Sequence, residues 1–228
     1  MDSKKLAIIR KLQLKEYFRL SSIYLLIYLN VVVLFSVYLA YQHDTLQISF
    51  QVDTFAIITK VFLLVMGIIN FTVTFKDYIV QGTSRKEYLA GTLSAIAILA
   101  LSFTALLTVI YLVMGFLNNQ PVDIGDTLLL MVSSLLLYYT YFILGWFMGM
   151  CFVKYRLLGG AIAIIMSGIS IVIMEITTSI GFVSLVGNLD MTTPMSIPLA
   201  YNLLSTIIIS FLATYFVYAK TKKIYFKL

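Results

Sequence analysis

The side chains able to do chemistry in this 228-residue chain are few, and their spacing builds no familiar catalytic group. A single histidine, His43, stands beside Asp44 with no nucleophile at a recognisable spacing, so a Ser-His-Asp arrangement has little to start from. The one cysteine, Cys151, excludes an internal disulfide, and with one histidine it makes no Cys/His zinc set. The chain has no H-E-x-x-H, no glycine-rich dinucleotide fingerprint and no G-x-x-x-x-G-K-[ST] loop to cradle phosphates. The expectation is a protein that is not an enzyme, with no catalytic residue, no metal and no directly bound cofactor.

Two charges stand out by where they lie. Lys60 and Glu175 both fall inside long apolar runs. An unpaired charge at the bilayer centre costs at least about 2.5–3.5 kcal/mol, so each requires a partner or a route to water. Lys60 lies about six residues inward from the outer end of its run and Glu175 about five, so at 1.5 Å per residue both are roughly 8–9 Å deep. Equal depth and opposite sign predict a contact, or a shared water-filled vestibule. The alternative is that Lys60 snorkels outward while Glu175 is protonated or faces water.

Tyr138, Tyr139, Thr140 and Tyr141 cluster near the middle of another apolar run. Hydroxyls at that depth need partners; they line a substrate path, or they bond and pack against a neighbouring helix. Asn30 and Asn70 read as interhelical glue. Gly145 and Gly149, then Gly159, Ala163 and Ser167, recur at four-residue spacing and predict tight helix contacts. The loop between those two runs is short, so they should form a close antiparallel hairpin.

The elements that must position these residues follow from composition. The chain is 61% hydrophobic and 11% charged, against roughly 25% charged in a soluble protein. A soluble globule could not cover so much apolar surface, so lipid must. A spanning helix needs about 20 apolar residues. Six stretches qualify, near 21–41, 54–75, 92–117, 127–153, 158–180 and 199–219. Backbone polar groups cannot stay unpaired in lipid, so these should be helices. The expected fold is all-α: a single transmembrane domain over 1–228.

Charge sets the orientation. Of the 16 lysines and arginines, ten flank the termini: Lys4, Lys5, Arg10, Lys11, Lys15, Arg19, Lys220, Lys222, Lys223 and Lys227. Lys76, Arg85, Lys86, Lys154 and Arg156 fall in the loops after the second and fourth runs, and the other loops carry Asp44, Asp53, Asp123, Asp126 and Asp190 instead. The positive-inside bias then puts both termini and the basic loops in the cytoplasm, and it explains the net charge of +6 without nucleic acid. All three prolines, Pro121, Pro194 and Pro198, lie in outer loops, so no span should be kinked by proline. The first apolar run, from about Ile23, is too long for a signal-peptide core, and no cleavable signal is expected.

Three segments outside the lipid invite function. Residues 1–20 place Leu6, Ile9, Leu12 and Leu20 on one broad face, interrupted by Gln13 and Glu16. This reads as an imperfect amphipathic helix on the inner membrane surface, or as a simple topology anchor. In 76–91, Gly82 is a natural helix stop, and Ser84 and Glu87 have capping-box spacing. The second run should therefore end near Gly82, and a new helix should begin at Ser84, turning Arg85 and Lys86 outward. Residues 181–198 form a less polar outer loop, either dipping into the outer leaflet or lying on the surface.

A basic amphipathic start, six spans, a short cytoplasmic helix between the second and third, and a semi-apolar outer loop between the fifth and sixth resemble the permease subunits of bacterial ABC exporters of the drug, peptide and polysaccharide type. The segment Gly82-Thr83-Ser84-Arg85-Lys86-Glu87-Tyr88 resembles the G-x-S-R-K-E-[FY] sequence seen in such permeases from low-GC Gram-positive bacteria. At finer grain the chain is similar to subunits that export amphipathic peptides such as phenol-soluble modulins, or that give immunity to antimicrobial peptides.

The resemblance implies that residues around 77–90, among them Asp77, Gly82, Ser84, Arg85, Lys86, Glu87 and Tyr88, act as a coupling helix that docks on a separate cytoplasmic ATPase. It implies a unit of two permeases and two ATPases in the cell membrane, with ATP and Mg in the ATPase and an amphipathic peptide as cargo. The rival classes are the substrate-binding membrane subunit of an energy-coupling importer and a non-transporting scaffold or sensor. Co-purifying ligand would mark the first, and absence of an ATPase partner the second.

Overall fold

The computed structural model describes residues 3–43, 52–117, 124–178 and 199–221, and among these every regular element is a helix. Helix α1 covers Ser3–His43. Helix α2 (Val52–Ile69) passes through a π-turn, Asn70–Thr74, into α3 (Phe75–Val80). Helix α4 is Arg85–Leu117, α5 is Ile124–Thr178 and α6 is Leu199–Thr221. The outer loop expected at 181–198, all three prolines and the tail with Lys222, Lys223 and Lys227 lie outside the described residues.

Four helical stretches are long and apolar enough to cross a membrane: Thr54–Val80, Arg85–Val113, Leu130–Glu175 and Leu204–Thr221. The third has 46 residues, roughly 70 Å of helix and more than twice the hydrocarbon thickness. It is not one rod. Arg156 has φ 58° and ψ −148°, which breaks the helix. The two limbs fold back on each other, because the Tyr141 hydroxyl on the first lies 2.5 Å from Oε1 of Glu175 on the second. Leu137, Tyr141, Leu144 and Met174 are buried together along the seam. The antiparallel hairpin expected there is present.

The small residues serve a different seam from the one expected. Gly145 and Gly149 on the first limb face α2, not the second limb. Gly145 lies against the Leu64 carbonyl and Gly67, and Gly149 against Ile68 and Phe71. Gly67 in turn meets the Phe142 carbonyl and the Trp146 amide. With no side chain on Gly67 or Gly145, the two backbones approach until they touch. Around this contact sits the core, including Leu63, Phe71, Phe75, Tyr138, Phe142 and Trp146.

Helix α1 also departs from expectation. Its residue pattern suggests two elements, an interfacial helix over 1–20 and then a span, but α1 continues without a break from Ser3 to His43. Its buried edge is Ile9, Gln13, Tyr17 and Ser21, whereas Leu12 is 52% exposed. Gln13, which interrupts the apolar face expected there, is fully buried and donates to Thr92 Oγ1 at 2.7 Å. Higher up, Tyr24 stacks on Phe62 at 4.4 Å, meets Phe103 edge-on, and shares a hydrogen bond with Thr59. Helix α1 therefore runs parallel to α4 and antiparallel to α2 from Ile9 to Tyr28, as part of the bundle. Asn30 does not bond between helices: its amide donates to the Leu26 carbonyl one turn back.

The outside of the bundle is apolar. Ile162, Ile165 and Ile169 on the second limb of α5, and Leu204, Phe211 and Leu212 on α6, are all more than half exposed. Contiguous apolar surface of this kind is foreign to soluble monomers and suits contact with lipid.

Candidate functional site

The turn between α3 and α4 is built almost entirely from local hydrogen bonds. Gly82 has φ +84°, the left-handed conformation in which a Cβ is strained. The Gly82 amide donates to the Ile79 carbonyl and the Thr83 amide to the Tyr78 carbonyl, both at 3.1 Å. This pair of bonds is the Schellman closure, and it satisfies carbonyls that the helix end would leave open. Three residues later α4 starts with the expected capping box. The Ser84 amide donates to Glu87 Oε2, and the Glu87 amide donates back to Ser84 Oγ, each at 3.3 Å. The Ser84 hydroxyl adds a 2.7 Å bond to the same carboxylate.

Only residues 81–84 leave the helical path, so the segment expected as a separate coupling helix consists of the end of α3, a four-residue turn and the first turns of α4. Asp77, Gly82, Ser84 and Lys86 are exposed, and Arg85 and Glu87 are half-buried. Arg85 does not point straight outward: its Nη1 donates to the Thr221 carbonyl, 3.2 Å away at the C-terminus of α6. A cation there complements the negative end of the helix dipole. Tyr88 is a correction to the docking set. Its side chain is fully buried, and no partner can reach it on the surface.

Tyr88 belongs instead to a polar cluster centred on Asn70. Its hydroxyl donates to Asn70 Oδ1 at 2.8 Å, and the Trp146 indole N–H donates to the same oxygen at 2.7 Å. The Asn70 amide donates to the Tyr17 hydroxyl at 2.7 Å. One side chain thus ties α1, α4 and α5 to the π-turn that separates α2 from α3. The π-turn places it there: the Phe75 amide bonds back to the Asn70 carbonyl, adding one residue to the turn and rotating all that follows. Aromatic rings close over the cluster, with Tyr88 5.1 Å from Phe75 and 5.4 Å from Tyr78, and Trp146 6.0 Å from Phe71.

At the other end of the bundle, Lys60 and Glu175 meet. Lys60 Nζ lies 2.7 Å from Glu175 Oε1, with 13% and 19% of the two side chains exposed. The Tyr141 hydroxyl shares that carboxylate oxygen, and its ring lies 5.9 Å below the ammonium. The pair joins α2 to the second limb of α5, and Tyr141 adds the first limb. Tyr138 is fully buried with its ring edge-on to Phe103, and Tyr139 packs partly buried against the core. Of the three tyrosines expected on a substrate path, Tyr138 and Tyr139 pack against the bundle core and Tyr141 bonds the ion pair.

Sequence reasoning marks Asn70 as glue but misses what it holds, since Tyr17, Tyr88 and Trp146 are 53, 18 and 76 residues away. One available signal is that the chain has a single tryptophan, whose buried N–H must find an acceptor. Compared with known proteins, the chain matches no family, no curated protein and no solved structure.

Proposed function

We propose that this chain is the membrane-spanning permease subunit of an ATP-driven exporter. It spans the cell membrane of a Gram-positive bacterium six times, with both termini in the cytoplasm. The observation that carries the reading is the doubly capped turn at 81–84, which presents Asp77 and Lys86 at the surface and is locked behind to the Asn70 cluster. Force applied to such a turn moves α3 and the start of α4 as one piece, and the Tyr88–Asn70–Tyr17 bonds carry it to α1. A separate ATPase subunit, holding ATP and Mg, supplies that force by docking on the turn. Two permeases and two ATPases make the working unit. The apolar outer surface suits an amphipathic peptide that enters from the lipid.

The test is capture of the tagged chain from membranes of its own host, with co-purifying ATPase activity as the readout. Lys86→Glu and Asp77→Lys are the informative variants, because both side chains are exposed. Arg85→Glu would also disturb the end of α6. ATPase captured by the wild type and lost on charge reversal supports the reading. Undiminished capture by both variants removes the docking site from the turn, and a wild type that captures no ATPase but retains a small ligand favours the importer class.

A further inference from the structure

A groove of about 180 Å³ opens between α4 and α6, with Trp146 of α5 at its back. Leu89, Leu93, Phe211, Tyr215 and Val217 form most of its walls, which are almost wholly apolar. Each of the three helices that line it also places a cation at the same end. Arg85 sits one turn before Leu89 and bonds the Thr221 carbonyl, and Lys154 Nζ reaches within 3.5 Å of the Lys220 carbonyl. The Lys220 ammonium lies 5.4 Å over the Phe216 ring, and that of Lys154 lies 5.2 Å over Tyr155. Among the described residues, Lys154 and Lys220 meet carbonyls and ring faces but no carboxylate. Three half-buried cations at the helix ends beyond an apolar slot are complementary to an anion that carries a hydrocarbon chain.

We propose that this groove binds one acyl chain of an anionic phospholipid, with the phosphate held by Lys154, Lys220 and Arg85. At about 180 Å³, below the roughly 300–1,000 Å³ of sites for drug-sized ligands, the groove takes a stretch of one chain and not two. Basic pockets between membrane helices are a recognised setting for acidic headgroups. The proposal needs only the membrane-spanning character of the helices and stands apart from the exporter reading.

The chain supplies its own probe. It contains one tryptophan, Trp146, and that residue forms the back of the groove. The full-length protein is reconstituted in phosphatidylcholine vesicles that contain either phosphatidylglycerol with brominated acyl chains or phosphatidylcholine with the same chains, at equal mole fraction. Bromine quenches indole fluorescence on contact. Quenching should be several-fold stronger with brominated phosphatidylglycerol and should weaken as salt is raised. The Lys154→Gln/Lys220→Gln double variant should lose the preference while keeping the unquenched emission spectrum, which reports an intact Trp146 environment. Leu93→Phe, which narrows the groove without touching charge, should reduce quenching by both lipids. Equal quenching by the two lipids in the wild type overturns the headgroup assignment. No quenching by either shows a groove filled by protein, such as a second copy of the chain, and overturns the proposal. Both results need only the wild type, and neither bears on ATPase docking at Lys86.

Discussion

The side-chain amide of Asn70 donates to the hydroxyl of Tyr17 across 2.7 Å, joining residues 53 positions apart in the chain. The same asparagine accepts from Tyr88 and Trp146 through its other end. Tyr17, Tyr88 and Trp146, from three different helices, thus converge on one side chain.

Replacing that side chain should therefore cost far more than its size suggests. Asn70→Leu leaves the Trp146 N–H buried without an acceptor and the Tyr88 hydroxyl with only the residue-70 backbone carbonyl, 3.2 Å away, at about 1–3 kcal/mol for a stranded group. A net loss of about 2–4 kcal/mol is expected, read as denaturant or thermal unfolding in detergent. Tyr17→Phe strands the buried Asn70 amide donor and should cost about 1–3 kcal/mol. Trp146 fluorescence should shift in Asn70→Leu and stay nearly unchanged in Tyr17→Phe. An Asn70→Leu protein as stable as wild type would rule out the cluster as a structural centre.

The Lys60–Glu175 pair predicts a different pattern. Losing one partner of a fully buried pair costs roughly 3–5 kcal/mol. Here 13% and 19% of the side chains are exposed, so Lys60→Met or Glu175→Gln alone should cost less, about 2–3 kcal/mol. Lys60→Met combined with Glu175→Met should cost less than the worse single change, because no charge is left stranded. Additive losses in the double variant would show that the two groups act independently. Tyr141→Phe, which removes the third member, should cost about 1.5–3 kcal/mol as a bond to a charged group.

Two glycine substitutions should move in opposite directions. At Gly145 a Cβ runs into the Leu64 carbonyl and the Gly67 backbone, which cannot give way as a flexible side chain can. Gly145→Ala should cost about 1–3 kcal/mol as overpacking. At Gly168 a Cβ meets nothing within 4 Å. Gly168→Ala should therefore be neutral or stabilise by up to about 1 kcal/mol, the helix preference for alanine. Matching thermal shifts for the two variants would contradict the close approach of α2 and α5.

Arg156 holds a backbone conformation that costs a non-glycine residue of order 1–3 kcal/mol. Arg156→Gly should relieve part of this and raise the unfolding midpoint, whereas Arg156→Ala should not. If alanine and glycine behave alike, the gain comes from removing the charge and not from the backbone.

Part of this architecture is legible in the order of residues alone. The helical class follows from composition, because 11% charged and 61% hydrophobic residues suit a lipid solvent, in which backbone polar groups must pair within the segment. The capped turn is legible for the opposite reason: its determinants are local. Gly82 needs only its own φ, and Ser84 and Glu87 need only a three-residue spacing. Equal depth and opposite sign make the meeting of Lys60 and Glu175 one of the few arrangements open to charges in hydrocarbon, and the tertiary structure selects it.

The sequence by itself determined the elements and their local ends, because solvation and capping act on residues near one another in the chain. Only tertiary structure decided which faces meet. Gly145 and Gly149 mark a close contact in either arrangement, but spacing cannot say that the contact is α2 and not the neighbouring limb. Gln13 is a flaw in a lipid-facing stripe until α4 brings Thr92 to it. Tyr88 is part of an exposed motif until Asn70, displaced by a π-turn, draws its hydroxyl inward. In each case the deciding partner is distant in sequence, and a buried polar group takes its role from whichever group packing delivers within hydrogen-bonding reach.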